Sequence, residues 1–259
     1  MAFAQAARFT RSIPNAVATV GVSDRVTFLR RTYALLGVAL VAFALFTGGM
    51  MTYMTETSLR FSSFMFGGMG GMLLVMVAFI GMSILAQRLA FSETSRGVQL
   101  AGLGLYVVVQ SLMLQPILWF VVVKFGGESS LRHGMFVVTP MALHVIMQSV
   151  VITLAIFVGL TATVFLSKKD FSFLRGTLVI ATFAVFGLMI ASMLFGFSLG
   201  LIFVGFLIAL MAGYILYQTS LIMSQFPPTA FVAAALMLFG TVATLFRLVL
   251  QLVASMNRR

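Results

Sequence analysis

Cysteine is absent from the 259 residues, and Asp and Glu together number 5. Without thiols there is no disulfide and no thiolate metal site, although this names no compartment. The acids Asp24, Glu56, Glu93, Glu128 and Asp170 all fall between apolar runs. The usual proton relay or cation site of a membrane core, built on buried carboxylates, is therefore missing. Histidine is limited to His133 and His144. "GFSLG" (Gly196–Gly200) spells the G-x-S-x-G pattern of a nucleophilic serine. That pattern needs a strand-to-helix turn and a histidine partner held by an acid. Both histidines lie upstream with no acid nearby in sequence, so a tight turn is the better reading. Lys124, Lys168 and Lys169 also lie between runs, which excludes a retinal Schiff base at a mid-membrane lysine. Neither an enzymatic activity nor a cofactor is expected.

Charge is scarce as well. Charged residues make up 8% of the chain and hydrophobic ones 61%, where a soluble domain carries about 25% charged residues. The mean hydropathy is +1.15. Such a surface belongs in a bilayer. The excess of 16 Lys+Arg gives a net charge of +11, but these bases are scattered singly between apolar runs. Topology and anionic headgroups account for them without nucleic acid.

The apolar residues form seven runs: about Tyr33–Met54, Phe64–Ala86, Val98–Val123, Met135–Leu166, two within Phe173–Met223, and Thr229–Ala254. Each reaches the roughly 20 residues that a membrane helix needs. Backbone groups in lipid must pair internally, so the spans are helices, and the short alternating segments of a strand barrel are absent. The Phe173–Met223 tract divides at "GFSLG", and "QFPP" (Gln225–Pro228) ends the helix before the last run. Pro116 lies within the third run. The fourth run exceeds one span and is tilted, kinked at Pro140 or partly outside the bilayer. The expected architecture is an all-α integral membrane bundle of seven transmembrane helices over residues 33–259. Residues 1–32 form a cytoplasmic N-terminal segment. Arg8 and Arg11, with no acid before Asp24, give it a faint presequence character, but a lead-in helix or tail is the reading carried forward.

With the N-terminus in the cytoplasm, 10 bases fall inside and 5 outside, with Arg247 left in the last helix. That agrees with the positive-inside rule. A six-span version with a re-entrant last segment moves Arg258 and Arg259 inside, but the length of the last run favours a full span. The 19 methionines suit irregular packing. Gly67 and Gly71, like Gly196 and Gly200, are four apart, a spacing that suits close helix packing as well as chance.

Few polar residues interrupt the spans. Gln110, Gln115, His144 and Gln148 suit hydrogen bonds between helices, with lining a cavity as the alternative; His144 and Gln148 share a face. Arg247 either snorkels to the interface or is an interior cation that meets carbonyls or a permeating anion. In "SKKDFSFL" (Ser167–Leu174), Asp170 or Ser172 is placed to cap the following helix.

"GLTATVFLSKKDFSFL" (Gly159–Leu174), "YILYQTSLI" (Tyr214–Ile222), "RTYALLGVAL" (Arg31–Leu40) and "GLGLYVVVQSLMLQPIL" (Gly102–Leu118) together resemble the Bax inhibitor-1 family in its bacterial branch. The motif loop Lys168, Lys169, Asp170, Phe171 and Ser172 is the most specific part. The resemblance implies a seven-helix fold with the last helix surrounded by the other six, in the bacterial inner membrane. The family is associated with calcium leak, with restraint of cell death in eukaryotes, and in bacteria with modulation of a membrane quality-control protease. Its calcium-leak members close their pore with two aspartates that share a proton, one of them following a tyrosine in "YDT". Here Tyr217 is followed by Gln218, and Thr241 stands at or near the second position. Neither side chain titrates near neutral pH, and together they offer a hard cation no charge. A specific calcium site is not expected. The expected role is binding and modulating another membrane protein; the alternative is a cation leak with altered or absent pH gating.

Overall fold

The structure, a computed structural model, describes residues 21–92, 95–126, 138–167 and 170–257. Within them lie α1 (Val22–Tyr53), α2 (Thr55–Phe66), α3 (Met69–Ala90), α4 (Arg96–Gly126), α5 (Pro140–Ser167), α6 (Leu174–Phe195), α7 (Gly200–Gln225) and α8 (Phe231–Met256), with no strand among the described residues. All but α2 are long and apolar enough to cross a membrane, which makes 7 candidate spans.

The spans match the apolar runs; their ends differ for identifiable reasons. Helix α1 begins at Val22 rather than Tyr33, with Asp24 in its first turn. Hydropathy finds where lipid begins, whereas the helix continues through the polar Arg25, Arg30 and Arg31. The second run is split. Phe64 and Phe66 belong to α2, whose mixed sequence TETSLRFSSFMF carries the exposed Arg60–Glu56 ion pair. Pro140 opens α5 instead of kinking it, because a first-turn residue has no intrahelical N–H bond to lose. Pro116 is accommodated inside α4. The Gly196–Gly200 turn forms as expected, with both glycines at positive φ, 71° and 67°. Nothing packs against either, so they make a turn and not a helix contact. Gly67 ends α2, and Gly71 lies against the Phe64 carbonyl, so that pair serves the α2–α3 corner.

Helix α8 lies at the centre. It packs against α1, α3, α4, α5 and α7, and 78% of its most apolar window is buried, against 11% for α6. The resemblance implied contact with all six other spans; α6 is the exception and touches α7 alone. The core runs along α8 through Val232, Leu236, Phe239, Val242, Leu245 and Val249, with Phe43 of α1 edge-on to Phe239 at 5.6 Å. Helices α3 and α4 approach very closely at Gly102, where a Cβ would sit 2.5 Å from the Ala90 nitrogen.

Candidate functional site

Gln218 lies about two turns from the end of α7 and Thr241 near the middle of α8. The Thr241 hydroxyl donates to Gln218 Oε1 at 2.8 Å. It also reaches the Met237 carbonyl at 3.3 Å, a back-bond that helical threonines favour. This neutral bond joins the central helix to α7, and the one carboxylate within a candidate span among the described residues is Asp24, in the first turn of α1.

The neighbours of Gln218 in "YQTS" point to different partners, as successive helical residues must. Tyr217 packs beside the cluster of Leu178, Val185 and Leu210 that holds α6 to α7. One turn earlier, the Tyr214 hydroxyl is 2.7 Å from Thr182 Oγ1. Thr219 turns inward, where it and Thr161 of α5 face the hydroxyl of Tyr33; neither threonine has another partner. Ser220 reaches the loop between α5 and α6.

That loop is braced rather than capping. Asp170 Oδ1 accepts from Ser172 N at 2.9 Å, from Ser172 Oγ at 2.6 Å and from Ser220 Oγ at 2.9 Å. Ser220 Oγ in turn accepts from Phe171 N at 3.0 Å. The residue before α6 is Phe173, and no side chain caps this helix. The expected cap is therefore corrected: Asp170 closes an Asx turn on itself and ties the loop to α7, which occupies the oxygen that a cap would have used. Partial burial pushes the Asp170 carboxyl up, but the bonds from Ser172 Oγ, Ser172 N and Ser220 Oγ outweigh it and hold it below the ordinary carboxylate value. Lys168 and Lys169 lie outside the described residues.

Gln115 is fully buried and joins three elements. Its Oε1 accepts from Ser58 Oγ of α2 at 2.7 Å, and its Nε2 donates to the Thr47 carbonyl of α1 at 3.3 Å. Trp119 Nε1 donates to the same Ser58 Oγ at 2.7 Å. Gln110 is buried beside Tyr106. His144 and Gln148 share a face of α5, as their spacing requires, and that face is exposed rather than turned toward a neighbouring helix. Arg247 is half-buried on α8. Sequence reasoning missed Tyr33, Ser58, Tyr106, Thr161 and Ser220. Of these only Ser220 carried a signal, by following "YQT".

The profile of the family described as "Inhibitor of apoptosis-promoting Bax1" matches residues 25–258, nearly the whole chain. The chain belongs to the Bax inhibitor-1 family. Among curated relatives it is 33% identical over 125 residues to Bax inhibitor 1 of Schizosaccharomyces pombe, covering 46% of each chain. It is 32% identical over 128 residues to the Golgi anti-apoptotic protein of vaccinia virus strain Lister, covering 48% of this chain and 52% of that one. These matches span about half the length of the two relatives. An uncharacterized protein of Pseudomonas aeruginosa is 26% identical over 163 residues, covering 60% of this chain and 70% of its own. No solved structure matches significantly. Within this Bax inhibitor-1 family protein, the α7–α8 contact is made by an amide and a hydroxyl, neither of which changes charge between acid and neutral pH.

Proposed function

We propose that this Bax inhibitor-1 family protein sits in a bacterial inner membrane, where it binds and modulates another membrane protein, and that the docking surface is α6. One observation carries the reading. Helix α6 is held by α7 alone and leaves a continuous stripe uncovered, with Ile180 71% and Phe183 73% exposed. Gly176 and Gly187 lie on that stripe with nothing within 4 Å of where a Cβ would be. Small residues beside large apolar ones let a second helix approach closely in lipid. The names of the relatives speak of inhibition and of anti-apoptotic action.

A photocrosslinking residue at Ile180 or Phe183, with Val77 on the exposed face of α3 as the control, tests this in intact cells. Discrete protein adducts at the α6 positions and not at Val77 support the reading. Lipid adducts alone at all three sites refute it. The second reading, a cation leak without pH gating, is favoured by one feature: Tyr33, Thr161 and Thr219 gather hydroxyls beside the α7–α8 contact.

A further inference from the structure

Arg247 has a charge that no carboxylate balances among the described residues. It stands nine residues before the end of α8 (Phe231–Met256), or ~14 Å at about 1.5 Å per residue. That is close to half the thickness of the hydrocarbon core, about 30 Å. Side chains on a helix lean toward its N-terminus, so the guanidinium is directed back into the bundle and away from the nearer interface.

Helix α4 packs on the same face of α8. Tyr106 of α4 lies beside Gln110 and within electrostatic range of Arg247. The Tyr106 ring is edge-on to Phe239 at 6.0 Å, and its hydroxyl presses on α8 at Gly240, where a Cβ would lie 2.6 Å away. Gly240 is two turns before Arg247 on the same face, so the glycine admits the phenol to the space that the guanidinium leans into. Gln110 follows Tyr106 by one turn and is buried. The guanidinium has five N–H donors, and Tyr106 and Gln110 add a phenol O–H and an amide NH₂ on the facing side of α4.

Among the described residues no carboxylate answers them. Asp24 and Glu56 lie in the first turns of α1 and α2, Asp170 in a loop, and Glu93 and Glu128 between the apolar runs of the sequence. Arg247 makes no hydrogen bond or ion pair among the described residues. Arginine does not escape by losing its proton, and an uncompensated charge in a membrane interior is unfavourable. Arg247 nonetheless keeps some accessible surface.

We propose that Arg247, Gln110 and Tyr106 form an internal site for a small monovalent inorganic anion of the halide class, between α4 and α8. A lipid headgroup has the same sign, and the test below separates it from a free ion. The site lies apart from the exposed face of α6 and does not depend on that docking role.

The test is thermal unfolding of the purified full chain in detergent, in graded sodium chloride or bromide against sodium gluconate at matched ionic strength. A ligand bound only by the folded state raises Tm by mass action. The expected result is a Tm that climbs with halide and not with gluconate, and a climb abolished in Arg247→Met. In gluconate that variant is expected to be at least as stable as the parent, because an unpaired buried charge has been replaced by an apolar side chain of similar length. If Arg247→Met does not fold, the Tyr106→Phe/Gln110→Leu pair keeps the guanidinium and is expected to weaken the halide response several-fold. Equal responses to halide and gluconate in the parent would overturn the proposal. So would a halide response that survives in the variants, or one that requires anionic lipid in place of halide.

Discussion

At the residue scale, the site is built from small polar groups that each join two elements. Thr241 joins α8 to α7 through Gln218. A buried hydrogen bond of this kind contributes about 1 kcal/mol net, and more is lost when a partner is left unmade. Thr241→Val therefore lowers unfolding stability by about 1–2 kcal/mol, measurable by denaturant titration in detergent. Asp170 acts by charge as well as by geometry. Its folded-state pKa is depressed by the bonds from Ser172 and Ser220. Its contribution is thus present above the unfolded value and is lost as pH falls through the lower, folded one. Asp170→Asn keeps the acceptor oxygen but cannot titrate. The variant is predicted to show a shallower loss of stability on acidification below about pH 4, read as Tm against pH, and little change near neutrality beyond a constant offset.

At the element scale, α2 is the feature that hydropathy could not show. It is too short and too polar to register as a span, and its anchor is three hydrogen bonds deep. Ser58 stands between Gln115 and Trp119, and Gln115 continues to the Thr47 carbonyl. Trp119 is the single tryptophan of the chain, so its fluorescence reports whether α2 is seated. Ser58→Ala is predicted to red-shift that emission and to raise protease sensitivity around Arg60; unchanged emission would show that α2 is held by apolar contacts alone. The seven spans were legible in the sequence because lipid imposes one coarse demand, about 20 apolar residues each. The Gly196–Gly200 turn and the stop at Gln225 were legible for the same reason, since glycine and proline punctuate an otherwise uniform tract. Gln115 was recognisable as a contact between helices because a buried amide needs partners. Its actual partners, Ser58 and a backbone carbonyl on α1, were not, because nothing in one apolar helix names the residue opposite it. Asp170 misled for a related reason: an acid just before a helix reads as a cap, and only the packing of α7 reveals Ser220 beside it.

At the scale of the whole molecule, the bond between the central helix and α7 at Thr241 and Gln218 carries no titratable charge, while α6 remains outside the packed core. The fold can therefore keep the family architecture without a proton-operated closure at Gln218 and Thr241. Calcium influx into liposomes, recorded at about pH 6 and about pH 8 to span the range over which a carboxylate pair can hold a shared proton, tests this most directly. The parent is compared with the Gln218→Asp/Thr241→Asp double variant. The account predicts that the parent stays tight at both pH values and that the variant leaks with a pH dependence. A parent that leaks, whether equally or with its own pH dependence, would contradict it.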